Sequence, residues 1–181
     1  MGKIDIFEYL PKIMSELQKG ILVNTKSEDK INSMTIAWGQ FGIEWKKMFF
    51  TIYIRHGRYT HELIEKTNEF TVSVPIERTP EVSKTIAYIG SRTGKNINKF
   101  EDCNLTVIKG EKVNSPAVKE LPLTIECKVL YKQEQDISHI PTEIIKQFYP
   151  KEINSDVPMS NRDFHTVYYG EIVNAYIITN C

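Results

Sequence analysis

Apolar and polar positions alternate along this chain in short blocks, most of them with the period of strands. Residues 48–54 (Met-Phe-Phe-Thr-Ile-Tyr-Ile) form an apolar, β-branched run that predicts a buried strand. Leu63 and Ile64 follow among Glu62, Glu65 and Lys66, which predicts a short amphipathic helix with Thr60 at its N-cap and Gly57 in the turn before it. Upstream, Ile6, Leu10, Ile13, Met14 and Leu17 carry helical spacing within residues 4–17, interrupted near Pro11 and closed by Gly20. Residues 21–25 and 31–38 predict a hairpin around the charged turn 26–30. Gly39 and Gly42 then predict an irregular loop, with Phe41 and Trp45 as aromatic walls. Further strands are expected at 69–75, 105–108, 121–131 and 166–178, the last with a bend or bulge at Gly170. Helices are expected at 80–89, closed by Gly90, and at 141–149, with a helical turn at 97–100, a polar excursion at 133–139 and an exposed loop at 151–163. Strands follow one another by hairpins as often as by helices. That pattern predicts a mainly β fold, an antiparallel barrel with helical insertions, rather than a doubly wound parallel sheet.

Composition narrows the function classes. The 181 residues suit one domain spanning 1–181. Charge is balanced at 23 basic against 23 acidic residues, so no broad electrostatic case for nucleic acid or an acidic membrane arises. No apolar run is long enough to span a bilayer and no secretory signal opens the chain, so a cytoplasmic location is expected. Cys103, Cys127 and Cys181 are widely spaced and predict neither a disulfide framework nor a zinc site. The four histidines form no His-x-x-x-His pattern, so a helical metal site has no support. No Gly-x-Gly-x-x-Gly follows a strand, which removes a Rossmann nucleotide site.

Two stretches suggest anion chemistry. Arg55 and Arg58 flank a turn that leads into a helix N-terminus next to Thr60. Guanidinium forks, a hydroxyl and unpaired helical N–H groups together suit a phosphate, although an ordinary strand-to-helix turn with two solvated arginines has the same composition. The loop 91–96 (Ser-Arg-Thr-Gly-Lys-Asn) is a second anion candidate, or simply a solvated polar loop. The strand 31–38 places Asn32, Met34, Ile36 and Trp38 on one face and Ser33, Thr35 and Ala37 on the other. The second face is small and partly hydroxylated, which suits a flat ligand or close packing of another element.

In this order the motifs Asn32-Ser33-Met34-Thr35-Ile36-Ala37-Trp38, Arg58-Tyr59-Thr60, Ser91-Arg92-Thr93-Gly94-Lys95, Asn98-Lys99-Phe100, Ile125-Glu126-Cys127-Lys128 and His165 through Ile172 resemble the flavin reductase-like family, and within it the flavoredoxin type. The resemblance runs over residues 21–178. It implies an antiparallel Greek-key split β-barrel that binds FMN and assembles as a homodimer. It implies that the Asn32–Trp38 strand lies along the flavin ring, with Ser33, Thr35 and Ala37 in contact and Trp38 flanking. It also implies that Arg58, Tyr59 and Thr60, joined by Ser91 and Lys95, meet the phosphate. The loop at 91–95 departs from the family pattern in the place of its glycine. His139, in an insertion spanning 133–163 that could cover the flavin, is a candidate to reach the ring or else a surface histidine; Tyr168 is a further candidate. The implied activity is electron transfer from NADH or NADPH through FMN to free flavin or a small-molecule or redox-protein acceptor. The alternative is a flavoredoxin-like carrier with tightly bound FMN, reduced by a protein partner. No catalytic acid–base pair is required, because the cofactor carries the chemistry.

Overall fold

The computed structural model describes residues 1–151 and 161–179. The chain opens with strand β1 (Gly2–Lys3) and helix α1 (Ile6–Leu17). Strands β2 (Ile21–Ser27), β3 (Lys30–Ile36), β4 (Gly39–Glu44) and β5 (Lys47–Arg55) follow as successive hairpins. Helix α2 (Tyr59–Thr67) leads to β6 (Glu69–Val74), then to helices α3 (Pro80–Ser91) and α4 (Lys99–Asp102). A small ribbon, β7 (Val107–Ile108) with β8 (Ala117–Val118), precedes β9 (Leu123–Glu134). A 3₁₀ turn (Ile137–His139) and helix α5 (Thr142–Phe148) come before β10 (His165–Ile177).

The main sheet is antiparallel, in the order β3-β2-β6-β9-β10-β5-β4, with β1 added on β10. It does not close, which is the arrangement of a split barrel. Its interior holds Ile21, Val23, Phe50, Ile52, Ile54, Phe70, Val72, Ile125 and Tyr168, plugged at one side by Ile6, Ile13 and Leu17 of α1. A second cluster joins Ile86 and Ile89 of α3 to Leu22, Phe100, Val118 and Leu121. At Gly170 the register of β9 against β10 slips, as the glycine in the strand pattern predicts. A Cβ there would lie 2.5 Å from Phe70 Cζ, so the bulge lets a ring pack against bare backbone.

Four local expectations change. Residues 39–44 are a strand rather than an irregular loop. The hairpin turn uses Trp45 and Lys46 at φ 49° and 60°, a left-handed pair without the usual Asn-Gly signal. Helix α1 runs unbroken through Pro11, and Phe7, whose carbonyl loses that partner, is exposed. Helix α3 continues past Gly90 to Ser91; Gly90 serves close approach, since a Cβ there would meet Thr35 Cβ at 3.1 Å. The N-cap of α2 is Arg58, with φ −86° and ψ 137°, so Thr60 is already the second helical residue. Most of the loop expected at 151–163, and Cys181, lie outside the described residues. Cys127 is buried and Cys103 partly so, both as free thiols. Among the described residues no helix is long and apolar enough to cross a membrane.

Candidate functional site

Strand β3 ends the sheet, so the outer row of its backbone N–H and C=O groups has no strand partner among the described residues. Against that edge lies a cavity of about 310 Å³, lined by Met34, Thr35, Ile36, Ala37, Trp38, Tyr53, Arg55, Arg58, Gly90, Asn161 and His165. Residues of both parities line it because it meets the strand edge-on, not through one face. Ser33 and Asn32, upstream on β3, turn inward. Ser33 Oγ donates to Asn24 Oδ1 at 2.8 Å, and Asn32 Nδ2 donates to Thr60 Oγ1 at 2.8 Å. Thr35 Oγ1 donates to the Ile86 carbonyl at 2.6 Å and ties the cavity wall to α3.

The two arginines of the turn have different tasks. Arg55 ends β5, is 7% exposed, and donates to the carbonyls of Asn161 (2.8 Å), Asp163 (2.5 Å) and Phe148 (3.0 Å). Its guanidinium lies 4.9 Å from the Tyr149 ring centre and 5.9 Å from that of Trp38. It is a strap as much as a wall. Arg58, at the N-cap of α2, donates to Asn161 Oδ1 at 2.7 Å while facing the cavity. Both cations sit where burial disfavours their charge, and Arg58 stands at the N-terminus of α2, the positive end of the helix dipole.

Trp38 forms the partition. Its ring packs edge-on against Phe148 (centroids 5.4 Å) and tilted against His165 (5.1 Å). Beyond it a second cavity of about 400 Å³ shares Ala37, Trp38 and Tyr53 and adds Met14, Leu17, Gln18, Gly39, Gln40 and Gln135. His165 opens β10 with Nδ1 3.0 Å from Tyr149 Oη and 3.1 Å from Gln135 Oε1. Burial, followed by the charges of Arg55, Arg58 and His56, pushes its pKa down to about 3, so the imidazole is neutral near pH 7. Behind β3, Lys99 is buried with Nζ donating to the carbonyls of Ser33 and Ile89, each at 2.9 Å. Burial, then the charge of Arg58, lowers its pKa to about 8.

Of the residues nominated from sequence, Met34, Thr35, Ile36, Ala37, Trp38, Arg55 and Arg58 converge on the first cavity. Tyr59 and Lys95 line a separate groove of about 320 Å³ with Asp29, Lys30, Gly94 and Asn98, and Lys95 is paired with Glu62. Thr60 and Asn32 stand behind the turn, where Gly94 presses so close that a Cβ would lie 2.0 Å from Asn32 Oδ1. Ser91 Oγ donates to the Tyr88 carbonyl. His139 is exposed and pairs with Asp136, and Tyr168 is buried with its hydroxyl donating to Glu65 at 2.8 Å; neither lines the cavity. Tyr53, Gly90, Asn161 and His165 complete the wall without having been nominated. Tyr53 was visible only as a polar-tipped ring in a strand, His165 only as the first residue of the closing motif, Gly90 only as a helix stop, and Asn161 carried no signal.

The site can hold an extended ligand with a flat ring and an anionic end. The edge of β3 offers backbone hydrogen bonds and Ala37 a close approach. Trp38 and Tyr53 supply aromatic walls, and Arg58 with the α2 N-terminus supplies positive charge at one side. Asn32 Oδ1 is buried next to this turn with no hydrogen-bond partner among the described residues, an acceptor left over where a donor would be welcome.

Comparison with known proteins places the chain. The model of the flavin reductase like domain matches residues 14–180. An uncharacterized protein of Archaeoglobus fulgidus is 35% identical over 106 residues, which cover 59% of this chain and 58% of that protein. The matched region thus spans well under two thirds of that relative. Among solved structures, the flavoredoxin of Desulfovibrio vulgaris (Miyazaki F) superposes with a TM-score of 0.66 at 25% identity, covering 90% of this chain and 70% of its own. The flavoredoxin from Methanosarcina acetivorans gives 0.65 at 21% identity, covering 88% and 68%.

Proposed function

The chain belongs to the flavin reductase like family, and we propose that it binds FMN in the cavity beside β3 and passes electrons from NADH or NADPH to an acceptor. The observation that carries this reading is the juxtaposition of an open strand edge with Arg58 at the N-terminus of α2. One end of such a cavity reads the polar edge of a ring; the other neutralises a phosphate.

Bound FMN would supply two-electron chemistry, and the protein's residues do the rest. Arg58 and the first N–H groups of α2 hold the phosphate. Met34 through Trp38 present backbone to the ring, and the Thr35–Ile86 bond fixes that edge in place. Trp38, held between Phe148 and His165, gives the ring site an aromatic wall. His165 presents a neutral imidazole, so it adds no positive charge next to the arginines. The neighbouring cavity across Trp38, of about 400 Å³, would receive the second substrate. Two copies are proposed to associate, a reading supported by the apolar Ile43 and Trp45, exposed at 68% and 58% on the β4–β5 hairpin.

Likeness to a flavoredoxin at 25% identity favours a second reading, in which FMN stays bound and a protein partner delivers the electrons. One anaerobic experiment separates them. The protein is reconstituted with FMN and mixed with NADH, then NADPH, while the oxidised flavin band is followed. Rapid bleaching at sub-millimolar nucleotide establishes a reductase and its donor. A bound flavin that neither nucleotide bleaches establishes the carrier, and absence of FMN binding refutes both.

A further inference from the structure

On the far side of the Arg55–Arg58 turn, three metal-ligating side chains from three elements meet. His56 follows the end of β5, His61 lies in the first turns of α2, and Glu134 is the last residue of β9. A ligand atom from each lies within 4.8 Å of the other two. His56 Nε2 is hydrogen-bonded to Glu134 Oε2. Thr166 of β10 bridges the other pair, its Oγ1 standing 2.9 Å from His61 Nε2 and 2.7 Å from Glu134 Oε1. The His56 and His61 rings stand edge to face, with centroids 5.2 Å apart.

We propose that His56, His61 and Glu134 form a binding site for a divalent first-row transition ion of the zinc type. Two imidazoles and a carboxylate are a ligand set suited to such ions, with bonds of about 2.0–2.2 Å. Around a tetrahedral ion those bonds put ligand atoms roughly 3.3 Å apart, so the observed cluster closes on a cation by small side-chain rotations. The surroundings agree in charge. With neutral imidazoles, Glu134 and Glu65 carry two negative charges against one on Lys132, which is paired with Glu65. His56 and Glu134 are 49% and 63% exposed, which leaves an entry path and room for water as a further ligand. Thr166 Oγ1 donates to Glu134 Oε1 and orients that carboxylate from outside, the kind of contact that positions ligands in metal sites. The cluster plays no part in the proposed flavin chemistry, yet His56 stands two residues from Arg58. An ion there would tie the ends of β5 and β9 to the start of α2 and stiffen the turn that carries the arginine.

The test uses the full chain, stripped with chelator and titrated with Co²⁺ by visible absorption and with Zn²⁺ by calorimetry at neutral pH. The expected result is one equivalent of either ion per chain at micromolar affinity, with His61→Ala and Glu134→Gln each weakening binding about tenfold or more. His139→Ala, which removes an exposed histidine paired with Asp136, should leave binding unchanged. Should His61→Ala not fold, the exposed Glu134→Gln decides between the outcomes on its own. Millimolar or superstoichiometric binding, or binding that survives Glu134→Gln at full strength, overturns the proposal.

Discussion

Arg58→Ala is the sharpest probe of the flavin reading. The guanidinium faces the cavity from the N-cap of α2 and is partly desolvated there, with Asn161 Oδ1 at 2.7 Å. A hydrogen bond to a charged group contributes about 1.5–3 kcal/mol, so losing it from a phosphate should raise the FMN Kd by roughly 10- to 150-fold. The variant also loses its contact with Asn161, and that disturbance weakens any ligand. Riboflavin supplies the correction, because it keeps the ring and ribityl chain and lacks the phosphate. Fluorescence-quenching titrations of both ligands against wild type and variant give the difference directly. The expected FMN loss exceeds the riboflavin loss by about tenfold or more. Lys95→Ala, in a separate groove and paired with Glu62, should change the same ratio less than about threefold, as an exposed ion pair would. Equal weakening of FMN and riboflavin by Arg58→Ala would refute the placement of the phosphate at this turn.

Further consequences can be checked on the unliganded protein. His165 titrates near 3 in the fold against about 6.5 in the unfolded chain, so the unfolded state takes up the proton first as pH falls. The stability it contributes is complete above about pH 6.5 and is lost toward pH 3, by up to about 1.4 kcal/mol per pH unit; urea midpoints at pH 7 and 5 should converge in His165→Gln, and an unchanged pH dependence would rule the histidine out. Lys99→Met strands the Ser33 and Ile89 carbonyls behind the cavity and should lower stability by about 1–3 kcal/mol in chemical denaturation. Gly170→Ala forces a Cβ to within 2.5–2.9 Å of Phe70 and Cys127 and should destabilise by about 1–3 kcal/mol, whereas Gly42→Ala, with open space around it, should change little.

Elements whose signal is local were legible. The apolar run that became β5, the amphipathic α2 and the glycine slip in β10 each follow from a handful of neighbouring residues. Strand β4 was not, because Gly39 and Gly42 imitate a loop and the turn that makes the hairpin sets Trp45 and Lys46 in a conformation those residues rarely adopt. Gly90 misled for a related reason: it sits in a helix to admit Thr35, and nothing around it in sequence announces a neighbour from β3. The cavity was half legible. Its β3 wall and Arg58 could be named, but His165 and Asn161 arrive from more than a hundred residues away, and only the pairing of β5 with β10 brings them in.

Arg55 and Arg58 show what sequence spacing leaves open. Read along the chain they are equivalent cations flanking a turn. In the fold, Arg55 is the last residue of β5, held between β10 and β4, and its side chain is carried inward beneath the 161–163 stretch and α5. There its planar fork donates to three carbonyls, those of Phe148, Asn161 and Asp163. Gly57 N–H, one turn on, donates to Asp163 Oδ2 at 3.1 Å and holds the same stretch from the other side. The strap and this bond together place Asn161 next to Arg58, and Asn161 aims the second guanidinium. One arginine therefore builds the wall against which the other is positioned. The charge available to a ligand depends on the buried residue as much as on the one facing the cavity.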